Sequence, residues 1–303
     1  MHAQTASASN PTPIATKALT GAQVNIPPRR MDFDFSTAPR YAYNNDPYMT
    51  TFWAAFSSLF PEGESFFVES VRHYRARISD PVLKAQISGF IGQEAMHSKE
   101  HQTFNASFEK YGYPMAGLNR DTGRLLHFLQ KVLPPIVQLS VTVCLEHYTA
   151  VMAEYALKAD HMHRLAHPKI LNIWLWHAVE ENEHKTVAFD VYQQVGGSYW
   201  LRALTMIPTT LILAFMFLWF HSRLLAHDGR LFSLRKNWPG IVHFWGRGGM
   251  FRAIIPQLLD FFKPRFHPSQ HDTDALLDEW REKLFGAEGM LKDQIKNPAK
   301  QVI

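Results

Sequence analysis

Two copies of one short pattern, Glu-x-x-His, constrain what this chain can fold into. The first is Glu94 and His97 within Gly92-Gln93-Glu94-Ala95-Met96-His97, and the second is Glu181 and His184 within Glu180-Glu181-Asn182-Glu183-His184. Residues three apart share one face of a helix. Ile87, Phe90, Ile91, Phe104 and Phe108 fall on the first face, and Ile170, Ile173, His177, Ala188 and Val191 on the second. Both pairs therefore point toward a core. An ionised carboxylate there is prohibitively costly unless a proton or a cation meets it.

Two such pairs are half of a two-metal recipe; the other half is one glutamate on each of two partner helices. The breakers along the chain supply those helices. A short helix follows Asp46-Pro47 and ends at Pro61 and Gly63, and the next runs to about Ile78. Ser79-Asp80-Pro81 makes a turn into a helix over about 82–111, which Gly112 and Pro114 stop. After a connector with room for a short helix of its own, a helix begins at Pro134-Pro135 and reaches about Asp160; His161 to Pro168 turns the chain, and another helix runs to Gly196-Gly197. Glu69 and Glu146 are the partner glutamates this reading selects, each with apolar neighbours. Residues equidistant from the turn of an antiparallel hairpin sit level, and the midpoints of Glu69 with Glu94 and of Glu146 with Glu181 fall in the two turns. The sequence thus predicts an all-α chain in which a four-helix bundle carries Glu69, Glu94, His97, Glu146, Glu181 and His184 as metal ligands. His73, His101, His147, His177 and Glu180 are candidates for an extra ligand or for groups that orient the ligands.

Four carboxylates and two imidazoles suit two metal ions, with iron preferred and manganese or zinc as alternatives. Cys144 is the lone cysteine, which excludes a disulfide framework and a cysteine-based metal cage. Lys and Arg number 31 against 27 Asp and Glu, and no basic stretch alternates with aromatics, so nucleic acid is not an expected partner.

Residues 1–30 are rich in Ala, Ser, Thr and Pro and read as a disordered tail without the apolar segment of a secretory signal. The bundle is expected over 31–200 and further helices over 201–303. Ala203 to Phe220 carries no charge, which fits either a membrane-embedded helix or a buried fifth helix, Pro208 favouring the second. The expected location is cytoplasmic or at the cytoplasmic membrane.

Several stretches resemble a bacterial family of predicted metal-dependent hydrolases: Arg29 through Phe35, Phe60 through Phe67, Gly89 through His101, Leu145 through Ala150 and Trp176 through Tyr192. The resemblance spans roughly residues 29 to 260 and implies a metal site at the six residues named above. The helical register separately resembles the ferritin-like di-iron carboxylate proteins, which implies a ferritin-like bundle with extra C-terminal helices. Three functions follow as expectations. The first is an O₂-dependent di-iron oxygenase or oxidase acting on a hydrophobic or lipid-like substrate, with an electron donor and a homo-oligomeric state as candidate partners. The second is a two-metal hydrolase, as the family resemblance implies. The third is a non-catalytic, membrane-associated metal binder. Ligands in the middle of helices favour the first; zinc content would favour the second.

Overall fold

Proline in the first turn, behind a capping side chain, starts several of the helices. Asp46 accepts from the Met49 N–H ahead of α1 (Pro47–Ser57), and Asp80 accepts from the Val82 N–H ahead of α3 (Pro81–Glu109). The computed structural model describes residues 18–296, and its architecture is all-α. Between and after these two helices come α2 (Phe60–Tyr74), α4 (Met115–Val132), α5 (Pro135–Lys158), α6 (Asp160–Leu165), α7 (Pro168–His184) and α8 (Val187–Gln194). The chain continues through α9 (Tyr199–His227), α10 (Leu234–Trp245), α11 (Met250–Asp260) and α12 (Asp274–Phe285). Among the described residues, β pairing is confined to two isolated antiparallel bridges, Met31 with Ile295 and Tyr43 with Ala166.

Helices α2 and α3 form one hairpin and α5 and α7 a second; α2 also packs on α5, and α3 on α7. Helices α2, α3 and α5 contribute apolar residues to two core layers, whereas α7 contributes to the first and α8, which follows it, to the second. One layer holds Phe60, Phe104, Val151 and Trp176, and the other holds Phe67, Phe90, Val143 and Val187. Glu94, His97, Glu146, Glu181 and His184 lie between the layers in sequence on each helix, all buried.

Four sequence expectations change. The turn between α2 and α3 lies over residues 75–80, because α2 ends at Tyr74 and Arg75–Arg77 form a 3₁₀ turn; Asp80 and Pro81 already belong to the start of α3. The connector after Gly112 is itself a long helix, α4, and the last bundle helix breaks at Lys185 into α7 and α8. Residues 21–30 are packed rather than loose, while 1–17 lie outside the described residues. Glycines make that packing close. A Cβ on Gly89 would sit 2.5 Å from the Ile26 carbonyl oxygen, and one on Gly92 would sit 2.4 Å from Pro28 Cγ. The N-terminal segment therefore lies directly on α3, and it carries Arg29 into the protein, 4 % exposed.

Candidate metal centre

The carboxylate that α2 sends to the centre is Glu64. The inward stripe of α2 runs Phe60, Glu64, Phe67, Val71 and Tyr74, at helical spacings of three and four. Glu69 falls on the outward stripe with Ser65, Arg72 and His73. Its side chain is 57 % exposed and pairs with Arg72 at 2.5 Å, so the expected placement of Glu69 at the centre is corrected. The apolar neighbours of Glu69 were real but belong to other faces. Position relative to Phe60, Phe67 and Val71 was the signal that would have found Glu64.

Around one point the structure brings together Glu64, Glu94, His97, Glu146, His177, Glu181 and His184. Their nitrogen and oxygen atoms, joined by His101 in one case, form overlapping groups of three, each within 4.8 Å: Glu94 with Glu146 and His184; Glu64 with Glu94 and His97; His97 with His177 and Glu181; and Glu64 with His101 and His177. Both oxygens of Glu64, Glu94 and Glu146, and Oε2 of Glu181, are buried without a hydrogen-bond partner. So are His97 Nδ1 and His184 Nε2. Orphaned polar atoms are rare in a folded core, because each forfeits its hydration. Here they converge on one another, which makes them a fitting set of ligand atoms for cations.

The second nitrogen of each histidine explains the orientation of the first. Gln93 Nε2 donates to Glu183 at 2.7 Å, so Gln93 Oε1 accepts from His184 Nδ1 at 2.8 Å and leaves Nε2 bare. That bare nitrogen stands 3.0 Å from Glu94 Oε1, two acceptors facing each other. His97 Nε2 donates to Glu180 at 3.1 Å, which leaves Nδ1 facing Glu181 at 3.5 Å. A longer relay anchors His177. Ser57 Oγ donates to Asn105 Oδ1 at 2.7 Å, so it accepts from His101 Nδ1 at 2.8 Å. His101 Nε2 then accepts from His177 Nδ1 at 2.6 Å, and His177 Nε2 is turned bare toward Glu181 at 2.8 Å. Each of the three imidazoles thus turns one nitrogen inward and has a dedicated partner behind the other, the arrangement of metal-bound histidine.

Protonation follows from this enclosure. Burial, reinforced by the neighbouring carboxylates, pushes Glu64, Glu94 and Glu146 well above the usual carboxylate range. Burial pushes Glu181 the same way, but the neighbouring imidazoles of His177 and His97 prevail and hold it low. For His97, burial favours the neutral ring and is overcome by Glu180 and Glu181, so its value rises. Burial, with His97 nearby, lowers His177 to about 4; burial and His177 also lower His101, so both rings are neutral at neutral pH.

The remaining candidates act elsewhere. Glu180 bridges His97 to Arg29, which donates to it at 2.9 Å, and so positions a histidine. His101 stands behind His177 in the same way. His73 is exposed against Tyr74. His147 is buried but turned away, its Nε2 on the Gln257 carbonyl and its ring on Phe261. Both of these histidine candidates are corrected: neither reaches the cluster. Sequence reasoning also missed Arg29, Gln93 and Ser57, whose partners lie far away along the chain.

The contrast between Glu64 and Glu69 is directly testable. Glu64→Gln should lower the metal content of purified protein by at least the roughly 10–100-fold affinity loss typical of perturbing a group behind a ligand. Glu69→Gln should leave metal content at the wild-type value. Equal content in the two variants, measured by atomic emission, would remove Glu64 from the site.

No curated protein and no solved structure matches this chain. A family model does, over residues 27–272, and that stretch contains every helix of the centre. The chain belongs to the family described as predicted metal-dependent hydrolases.

Proposed function

We propose that this chain is a metal-dependent hydrolase that holds two divalent ions between α2, α3, α5 and α7. The observation that carries the reading is the convergence of bare histidine nitrogens and orphaned carboxylate oxygens at one buried point. Glu94, Glu146 and His184 would hold one ion, and Glu64, His97, His177 and Glu181 the other, with carboxylates shared between them. Bound ions would supply Lewis acidity and lower the pKa of water, the chemistry by which paired metals hydrolyse esters, amides or phosphates.

The chain itself sets access. A narrow cleft lined by Trp53, Phe56, Phe60, Met152, His177 and Glu181 reaches the cluster. Phe56 and Met152 also border a wider apolar cavity of about 260 Å³ between α1, α5, α9 and α11. A substrate with an apolar chain fits this route, because the walls exclude water and offer few polar partners.

A second reading, O₂-dependent oxidation at a di-iron centre, is favoured by one observation: all the candidate ligands sit within helices, as in the ferritin-like carboxylate proteins. Metal analysis of aerobically purified protein separates the readings. The zinc- or manganese-loaded protein should cleave long-chain esters faster than short-chain ones. Iron that reacts stoichiometrically with O₂, in a protein inert toward esters and phosphates in every metal form, would overturn hydrolysis.

A further inference from the structure

Helix α9 is apolar on both sides. Its inward side, with Met206, Met216, Phe220 and Leu224, packs into the protein. Its outward side exposes Trp200, Leu204, Ile207, Leu211, Phe215 and Leu218, spaced three or four residues apart in one unbroken stripe. Leu211 and Phe215 are each 66 % exposed. A helix that is hydrophobic all round is normally enclosed by protein or by lipid. The stripe also continues sideways. Leu211 shares a shallow groove with Ile255 and Leu259 of α11, and Trp238 and Trp245 of α10 are exposed as well. Soluble monomers rarely leave so large an apolar surface uncovered.

Charge identifies what covers it. Residues 199–267 contain nine Lys or Arg against two acidic residues, Asp228 and Asp260, whereas the rest of the chain has more acidic than basic residues. Arg235, Lys236, Arg247, Arg252, Lys263 and Arg265 are exposed beside the apolar positions. Apolar and Trp-rich surface flanked by basic groups is the pattern of helices lying in an anionic membrane interface.

We propose that α9, α10 and α11 dock this face into one leaflet of an anionic phospholipid membrane, lying in its plane rather than crossing it. Helix α9 is long and apolar enough to span a bilayer. Its inward side, however, is committed along its whole length: Tyr148 bonds Thr210, Phe52 meets Phe217, and His221 bonds Thr51. A crossing would drag α1, α5 and the charged outer surface of the bundle into hydrocarbon. Helices α10 and α11, with 12 and 11 residues, are too short to cross. The 260 Å³ cavity described above is bordered by Leu218, Trp245 and Ile255 of the same face, so it opens toward the leaflet. This inference stands on the surface alone and is independent of the metal chemistry.

The test is flotation of the full-length protein with vesicles of phosphatidylcholine, alone or mixed with phosphatidylglycerol. The wild type should float with both and bind the mixed vesicles at least tenfold more tightly. Leu211→Asp combined with Phe215→Asp should abolish flotation. Arg235→Gln with Arg252→Gln should weaken binding to the mixed vesicles about 25-fold, at about fivefold per basic residue, and leave binding to neutral vesicles unchanged. Helical content and metal stoichiometry should match the wild type in both variants, which separates lost docking from misfolding and from any failure of the metal reading. Three outcomes would overturn the proposal: flotation unchanged in the variants, protease cleavage of the chain from both sides of a sealed vesicle, or a vesicle-indifferent dimer that Leu211→Asp dissociates.

Discussion

Arg29→Met should destabilise the protein by about 3–5 kcal/mol, the usual cost of leaving a buried charge without its partner. Arg29 donates through Nη1 to Glu180 at 2.9 Å, and through Nη1 and Nη2 to Glu183 at 2.8 and 2.7 Å, while its guanidinium lies over the Phe285 ring. Both carboxylates are fully enclosed, and of the two Arg281 reaches only Glu183. Burial pushes Glu183 upward, and Arg29 together with Arg281 holds it below the usual value instead. Met keeps the apolar stem and removes the charge, so the loss measures the ion pairs rather than packing. A second effect separates this from ordinary destabilisation. Glu180 anchors His97, and Glu183 orients Gln93, which anchors His184. Metal affinity should therefore fall about 10–100-fold in protein that is still folded. Denaturant melting and metal titration of the same sample check both halves. A variant as stable as wild type would show that the network contributes nothing beyond charge already screened.

The faces that build the candidate centre were legible because a helix repeats every 3.6 residues, and Glu-x-x-His on an apolar stripe leaves no choice of side. Glu94, His97, Glu181 and His184 are buried together for that reason, and Glu146 joins them from α5. Glu64 was missed because the level-matching argument assumed a turn at Asp80-Pro81. The true turn is centred several residues earlier, which moves the partner position toward the N-terminus of α2. His177 was visible but undecided. Its tautomer depends on Ser57, His101 and Asn105, contacts between α1, α3 and α7 that no local pattern encodes.

Arg29 lay in a stretch whose composition reads as disordered. What orders residues 21–30 is shape: Gly89 and Gly92 on α3 leave room for Ile26 and Pro28. Charge then fixes the depth, since Glu180 and Glu183 need a cation from outside α7. The hydrophobic run after Arg202 was equally ambiguous for a physical reason. Its Leu, Ile, Phe and Met residues occupy both sides of α9, so periodicity could not separate a core helix from a lipid-facing one. The fold resolves half of that ambiguity by packing only one side.

If the centre holds metals as proposed, removing them should make stability depend on pH in the opposite sense to that of most proteins near neutrality. In the metal-free cavity, burial and mutual repulsion raise the folded-state values of Glu64, Glu94 and Glu146 well above the ordinary Glu value of about 4.3. Between the unfolded and folded values the native state binds more protons than the unfolded chain, so stability falls as pH rises. The slope is about 1.4 kcal/mol per pH unit for each carboxylate that remains protonated, and it ends once the folded values are passed. His97, raised above its ordinary value, adds to the fall. His101 and His177 are depressed and act oppositely, but only below the ordinary histidine value of about 6.5, where the unfolded chain takes up protons. Glu181, held low, also acts only in acid. The clean window therefore starts near pH 7. Chelator-treated protein should melt at progressively lower temperature as pH is raised from there. Metal-loaded protein should hold its melting temperature, because cations replace the protons. Calorimetry in two buffers of different ionisation enthalpy should register proton release on metal binding. Parallel melting curves for the two forms across this window would mean that the carboxylates are already ionised without metal, and the argument for a cation-dependent core would fail.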